Sequence, residues 1–395
     1  MPTEIKINRQ PKILIVCNYY LPGYKSGGGL RTLVNMIERF KDRFDFRVIT
    51  RDHDGDKIPY TNVKLNQWNE IDSTKVYYLS ANNVRISKLR ELITEVEPDA
   101  IYLNSVFSTL SIFLLILLKF KLIPKRKIIL APEGELSDGA LQLKARKKKA
   151  FIKFAKKAGL YQNIIWKVTA ELEKQETERF KGSGGQIFIA PNMPSPLILK
   201  KHQQKPKPKK EIGKARLIFL SRYMRKKNFK WLLDNLHGIE GNLQIDIFGP
   251  LEDKAYWEET EKVIDCLPAN IKIEYKGSLA YEKAIETLID YHFFILPTLG
   301  ENFGHVFIEA LAAGCPLIIS DRTPWLDLEK KQIGWDIPLG EPEKWLEVLN
   351  QCIKLDDVSY RNISNKSREF AADWLTQPEI EEDTLRVLEF GLKTN

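Results

Sequence analysis

The sequence predicts a two-domain α/β protein with mostly parallel sheets, and three observations carry that reading. The chain has 395 residues, 43% of them hydrophobic and 10% aromatic, more length than a single hydrophobic core organises. Short apolar runs alternate with helical or loop material in both halves, the pattern of strands joined by crossover helices. Between 194 and 216 this periodicity stops, and the Lys-Pro-Lys-Pro-Lys-Lys run at 205–210 forbids regular structure while its charges repel one another into an extended segment.

In the first half, the apolar run at 13–17 follows Pro11 and feeds Asn18-Tyr-Tyr-Leu-Pro-Gly, as a buried parallel strand entering a loop does. Ser26-Gly27-Gly28-Gly29 then precedes Leu30, Leu33, Val34 and Ile37, whose spacing places an amphipathic helix directly after the glycines. Further strands are expected at 46–50, 76–79, 100–103 and 127–130. The apolar segment 106–118 reads as a buried crossover helix, because its uninterrupted part, 112–118, is too short to cross a bilayer before Lys119 and Lys121. The second half repeats the pattern without repeating the sequence, with strands expected at 217–220, 243–248, 271–275, 293–296 and 316–319. The expected division is an N-terminal domain at 1–195, a basic linker at 196–215, a C-terminal domain at 216–375 and a closing helix at 376–395.

The net charge of +9 is unevenly spread: 144–157 hold eight basic side chains and no acid, 200–216 hold eight and one acid, and the rest of the chain carries −6. Local basicity of this kind argues for an anionic partner at particular surfaces, and the absence of aromatic stacking motifs argues against nucleic acid. Within 144–157, Phe151, Ile152, Phe154 and Ala155 interleave with cations, as in a helix lying on an anionic membrane surface; a solvated face is the plainer alternative. The four cysteines, Cys17, Cys266, Cys315 and Cys352, lack metal-ligand spacing, and Cys17 and Cys315 stand in the apolar or small-residue context of buried thiols. With an N-terminus that has no apolar signal segment, they predict a cytoplasmic protein, peripheral on the inner face of the membrane where the basic helix binds.

The chemistry is concentrated at 293–320, which read as strand, loop, helix and strand. Gly304 stands at the helix entry, and Gly314 followed by Pro316 ends it. Glu301 therefore falls in a loop at the carboxyl end of a strand, where open α/β sheets bind ligands, and Glu309 about one and a half turns into the helix. The loop through Asn302, with the backbone N–H groups of Phe303, Gly304 and His305, is expected to cradle an anionic group; His305 is read as acting through its backbone, with its imidazole as general base the alternative.

Read as Pro297-Thr-Leu-Gly-Glu301-Asn-Phe-Gly and Glu309-Ala-Leu-Ala-Ala-Gly-Cys-Pro316, this stretch resembles the signature of the retaining group 1 glycosyltransferases, two glutamates separated by seven residues. Ser221-Arg222-Tyr-Met-Arg-Lys-Lys227-Asn228 is similar to that family's Arg and Lys after the first strand of the nucleotide domain, with Asn228 in place of a glycine; asparagine is the residue that best tolerates positive φ. The resemblance implies the GT-B fold, two Rossmann-like domains facing across a cleft, and a nucleotide-diphosphate sugar as donor. It implies that Glu309 accepts from the nucleotide ribose, that Arg222 and Lys227 hold the leaving diphosphate, and that Glu301 orients the sugar. Gly28 and Gly29 are then donor-phosphate contacts. Their run lacks the G-x-G-x-x-G spacing of a dinucleotide fold.

Ala131-Pro-Glu133-Gly-Glu135-Leu-Ser137 resembles the segment that meets donor sugar and acceptor, with Glu133 where other members have a basic residue or histidine. Which of Glu133, Glu135 and Ser137 meets substrate is left open, and loop capping is the alternative for each. Asn192 resembles the family's asparagine before the linker and is read as a turn or hinge. No cofactor and no metal are implied, and the sequence has no D-x-D motif in either nucleotide loop. The expected activity is anomer-retaining transfer of a hexose-type sugar to a glycan or lipid-linked glycan, in bacterial surface polysaccharide synthesis. The rivals are a nucleotide-sugar epimerase or phosphorylase on the same fold, and a non-catalytic membrane-associated binding protein.

Overall fold

The computed structural model describes residues 9–55, 58–142, 145–195, 198 and 206–393. Residues 196, 197 and 199–205 of the expected linker, and Lys144 of the basic run, lie outside the described residues. The chain forms two compact units, Met1–Met193 with Pro378–Asn395, and Pro194–Gln377.

The first unit is built on an eight-stranded sheet in the order β3-β4-β2-β1-β5-β6-β7-β8. Its strands are β1 (Lys12–Cys17), β2 (Asp45–Arg51), β3 (Trp68–Ile71), β4 (Thr74–Leu79), β5 (Ala100–Asn104), β6 (Lys127–Ala131), β7 (Ile165–Val168) and β8 (Gln186–Ile189). Every neighbouring pair is parallel except β3 and β4. Helices α1 (Gly28–Phe40), α2 (Ile86–Val96), α3 (Thr109–Lys119), α4 (Asp138–Gln142), α5 (Ala145–Ala158) and α6 (Glu171–Phe180) connect them. The apolar crossover segment is α3, capped by Ser108 Oγ accepting from the N–H of Ser111 at 3.0 Å, with Leu110, Leu114 and Leu117 buried against α2 and the sheet.

Three strands of this sheet are not evident in the sequence. β3 is a partly buried edge strand, β7 (Ile-Trp-Lys-Val) carries a lysine, and β8 lies at the other edge with both ends exposed, so none shows a continuous apolar run. The basic run also departs from expectation. In α5 Ala155 is buried and Phe151 and Ile152 pack against the core, so those three side chains are committed to the protein. What faces out is Arg146, Lys147, Lys149, Lys153, Lys156 and Lys157, with Phe154 alone at 62% exposure.

The second unit has a wholly parallel six-stranded sheet, β11-β10-β9-β12-β13-β14, from β9 (Lys214–Leu220), β10 (Asn242–Phe248), β11 (Ile271–Tyr275), β12 (Phe293–Leu296), β13 (Leu317–Ser320) and β14 (Gly334–Ile337). Its helices are α7 (Phe229–Asp234), α8 (Lys254–Ile264), α9 (Tyr281–Leu288), α10 (His305–Ala312), α11 (Pro342–Lys354) and α12 (Asp357–Leu375). The last helix, α13 (Pro378–Leu392), packs on β5 to β8 of the first unit, where Gly391 lies against Ile129 and Phe390 against Phe188. Among the described residues no helix is long and apolar enough to cross a membrane. The four cysteines are free, and all but Cys266 are buried.

The segment before β9 is not a solvated tether where it is described. Lys207 and Lys210 are 7% and 2% exposed, with their ammonium groups turned inward. Lys210 Nζ donates to the carbonyls of Ile353 and Leu355 at 3.1 and 3.0 Å, at the end of α11, and Lys207 Nζ to Leu288 O at 3.3 Å, at the end of α9. Two lysines of a charge run thus satisfy helix C-terminal carbonyls, where orphan acceptors and the helix dipole both favour a cation.

Candidate active site

In the second sheet the strand order turns around between β9 and β12, which are neighbours although three helices and two strands separate them in sequence. Ligands bind at the carboxyl ends of strands at such a switch point. The loops leaving these two strands carry the residues singled out above, and they are stitched together. The carbonyl of Lys226 accepts from Leu299 N–H at 2.8 Å and from Thr298 Oγ1 at 3.2 Å, Ser320 Oγ donates to Thr298 O at 2.5 Å, and Glu301 N–H donates to Arg322 O at 3.0 Å.

The stitched loops bring Lys227 and Glu301 into a direct ion pair between Nζ and Oε1. Their side chains are only 11% and 15% exposed. Burial alone would raise the Glu301 carboxyl, but Lys227, Lys226 and Arg222 together hold it below the usual carboxylate range. Burial lowers the Lys227 ammonium, helped by the like charges of Arg222 and Lys226 and opposed by Glu301. Asn228 follows with φ 60° and ψ 23°, left-handed as its residue type permits, closing the turn of Arg225–Lys227 and opening α7. Arg222 is half-exposed, and its Nη1 donates to Glu252 Oε2 at 2.9 Å; it acts on the pair through its charge, not by contact. Glu252 was not visible in the sequence as part of this site, because it lies 30 residues from Arg222 in a segment without motif.

Helix α10 begins one residue after Gly304, whose φ of 75° is left-handed and whose missing Cβ leaves room for the Phe307 ring. Phe303 is buried among Trp325, Trp374 and the imidazole of His305, with ring centroids 5.8, 5.6 and 5.0 Å away, and its carbonyl accepts from Trp325 Nε1 at 2.6 Å. The side chains of Phe303 and His305 therefore anchor the helix start. Asn302 lies partly buried in the loop between Glu301 and Phe303. Glu309 is 5% exposed, with Tyr281 Oη donating to its Oε1 at 2.9 Å. Tyr281, at the start of α9, is a further partner that no motif signalled.

In the first unit the glycine run forms the start of α1: Gly27 is the N-cap with φ 78°, and Gly28 and Gly29 lie in the first turn, exposed and half-buried. The loop before them is ordered by Asp54, 4% exposed, which accepts from the N–H groups of Tyr24 and Lys25 at 2.7 Å and from Ser26 Oγ. The candidates after β6 separate by role. Glu135 accepts from Ser105 Oγ, Val106 N–H and Phe107 N–H at 2.8, 2.7 and 3.2 Å, so it caps a loop, and Ser137 Oγ donates to Gly134 O at 2.9 Å at the start of α4.

Glu133 differs: its φ is 51°, its Oε2 accepts from Asn192 Nδ2 at 3.0 Å, and its Oε1 is buried without a hydrogen-bond partner. Asn192 is itself bonded to buried Lys167 at 2.7 Å, so it ties Glu133 to that cation. Burial raises the Glu133 carboxyl to about 7, with Glu173 and Glu135 adding to the rise and Lys167 and Asn192 opposing it. Among the described residues no group of three or more His, Cys, Asp or Glu side chains is placed to hold a metal.

Known proteins similar to this chain share its fold and, in part, its sequence profile. Residues 200–370 match the profile described as glycosyl transferases group 1. No curated protein matches the chain by sequence. Among solved structures, a glycosyltransferase from Rickettsia africae is 14% identical, with 98% of this chain and 100% of that one covered and a TM-score of 0.70. A sucrose-phosphate synthase from Thermosynechococcus elongatus is 14% identical over 97% and 100% of the two chains, with a TM-score of 0.69. Anabaena HepE in complex with UDP-glucose is 16% identical over 96% and 98%, with a TM-score of 0.65. Residues 200–370 thus resemble group 1 glycosyltransferases, and the whole chain has the GT-B fold.

Proposed function

We propose that this protein transfers a hexose-type sugar from a uridine diphosphate sugar to a glycan or lipid-linked glycan, with retention at the anomeric carbon and without a metal, in the assembly of a bacterial surface polysaccharide. The observation that carries the reading is the buried Lys227–Glu301 pair at the switch point, because a cation held in a low-dielectric loop is what a leaving diphosphate requires. Lys227, with Arg222 released from Glu252, neutralises the diphosphate as the bond from the anomeric carbon to the phosphate oxygen breaks. The acceptor hydroxyl oxygen bonds to that carbon on the same face, and its proton passes to the departing phosphate. Glu301 orients sugar hydroxyls, and buried Glu309 accepts from the ribose. Solved relatives of the fold bound to UDP-glucose and to UDP-2-fluoro glucose support the choice of donor.

The exposed basic face of α5, which carries no acid, is proposed to rest on an anionic membrane surface with Phe154 as its single apolar contact. In this reading attachment is electrostatic and lost at high salt, and liposome flotation that ignores salt contradicts it. The transfer is tested by NMR of the product's anomeric proton in a reaction run with a chelator. Retained configuration and undiminished turnover are expected. Inversion, or complete loss in chelator, overturns the mechanism, and donor consumption without acceptor favours an epimerase or a phosphorylase.

A further inference from the structure

The amino edge of the second sheet, opposite the loops that carry Glu301 and Lys227, holds a groove of about 460 Å³ that the donor site does not use. Strand register explains its polarity. Arg216 of β9 is paired with Gln244 of β10, and Gln244 with Lys272 of β11, so the three side chains share one face across adjacent strands. Parallel sheets normally bury such a face under apolar side chains, and here it presents cations. Lys209 and Lys214 add two more from the segment before β9 and its first residue.

The acids nearby are already engaged. Glu211 pairs with Lys214 at 2.6 Å, Glu274 pairs with Lys272 at 2.5 Å and also with Lys276, and Asp246 accepts from Tyr291 Oη at 2.6 Å and Gln244 Nε2 at 3.0 Å. Lys209 and Arg216 have no such carboxylate partner among the described residues.

His292, 4% exposed at the entry to β12, lines the same groove. The backbone N–H of Arg216 donates to its Nδ1 at 3.1 Å. Burial, with Lys210, Lys207 and Arg216 close by, lowers the imidazole to about 4; the Lys209 carbonyl pulls weakly the other way. The ring is therefore neutral near pH 7, and since Nδ1 accepts, the proton sits on Nε2. That donor has the Lys209 carbonyl as its neighbour, and Arg216 Nε is buried without a hydrogen-bond partner. An unmatched buried guanidinium donor beside Lys209, which no carboxylate contacts directly, is the complement of an anion, and an unmade buried hydrogen bond is costly enough that such sites are seldom left idle.

We propose that this groove is a second ligand site, taking a phosphoryl group, free or carried on a sugar, between Lys209, Arg216 and His292. The site is independent of the donor assignment, because it lies at the opposite end of the strands. The test is calorimetric titration with inorganic phosphate and with a hexose phosphate, paired with NMR titration of the His292 imidazole at constant ionic strength. Saturable binding of at least one is expected, with the His292 titration moving upward, because an anion stabilises the imidazolium. Phosphate alone sufficing assigns a free anion, and a preference for the hexose phosphate assigns a phosphosugar. Arg216→Gln should weaken binding about tenfold, the loss of one charge-assisted hydrogen bond, with transfer at saturating substrates unchanged. His292→Phe, which keeps the ring volume, should weaken it too. Absence of binding by both compounds, or binding that neither moves the His292 titration nor responds to Arg216→Gln, overturns the proposal.

Discussion

Glu301 and Glu133 are both removed from water, and their surroundings send them in opposite directions. Burial would raise either carboxyl; at Glu301 three nearby cations outweigh it, and at Glu133 two neighbouring carboxylates reinforce it against a single buried lysine. Glu133 therefore binds its proton more tightly folded than unfolded, and stability falls as pH rises from its ordinary 4.5 to about 7. Glu133→Gln removes that penalty. We predict a melting temperature equal to the parent's near pH 4 and higher at pH 8, by up to roughly 2–3 kcal/mol of stability; a difference independent of pH contradicts the assignment. For Glu301→Gln we predict a larger loss in kcat than in donor affinity, since its proposed role is to orient the reacting sugar. Removing the charge leaves Lys227 buried and uncompensated, so a destabilisation of about 3–5 kcal/mol is expected in chemical denaturation.

At the scale of elements, α10 depends on a glycine whose reason is geometric. A Cβ at Gly304 would enter the Phe307 ring, and the φ of 75° is strained for any other residue. Gly304→Ala is predicted to cost about 1–3 kcal/mol and to weaken nucleotide binding, read by denaturant melts and calorimetry; an alanine variant as stable as the parent refutes the strain. This element was legible beforehand because Gly304, Gly314 and Pro316 mark its ends locally, and β11 and β12 were legible because they are apolar throughout or bounded by turns. The lysines before β9 were not. A charge run reads as solvated, and only the folded chain shows that Lys207 and Lys210 reach the ends of α9 and α11, up to 145 residues away. Which apolar side chains of α5 face out was not legible for a related reason: interleaved phenylalanines do not reveal which face the core claims, and the core takes Phe151, Ile152 and Ala155. Strands β3, β7, β8 and β14 are short, edge-lying or interrupted by polar residues, and their pairing is decided by neighbours in space.

For the whole molecule, the two units divide what the sequence makes known. The second unit carries the family profile and the loops at the switch point, so the resemblance that places its expected donor residues was legible in the motif. The first unit shares the fold with distant relatives, and its site residues sort only once their partners are seen: Glu135 and Ser137 into caps, Glu133 into a carboxyl with an unpartnered oxygen. In the proposed donor site the second unit holds a nucleotide through Glu309, midway along α10. Calorimetric titration of UDP into the parent and Glu309→Ala tests it most directly, with Tyr281→Phe reporting the loss of the neighbouring hydrogen bond alone. Saturable binding by the parent is expected, with a loss of about tenfold or more in Glu309→Ala, the melting temperature otherwise preserved, and a smaller loss in Tyr281→Phe. A Glu309→Ala protein that binds UDP as tightly as the parent contradicts it.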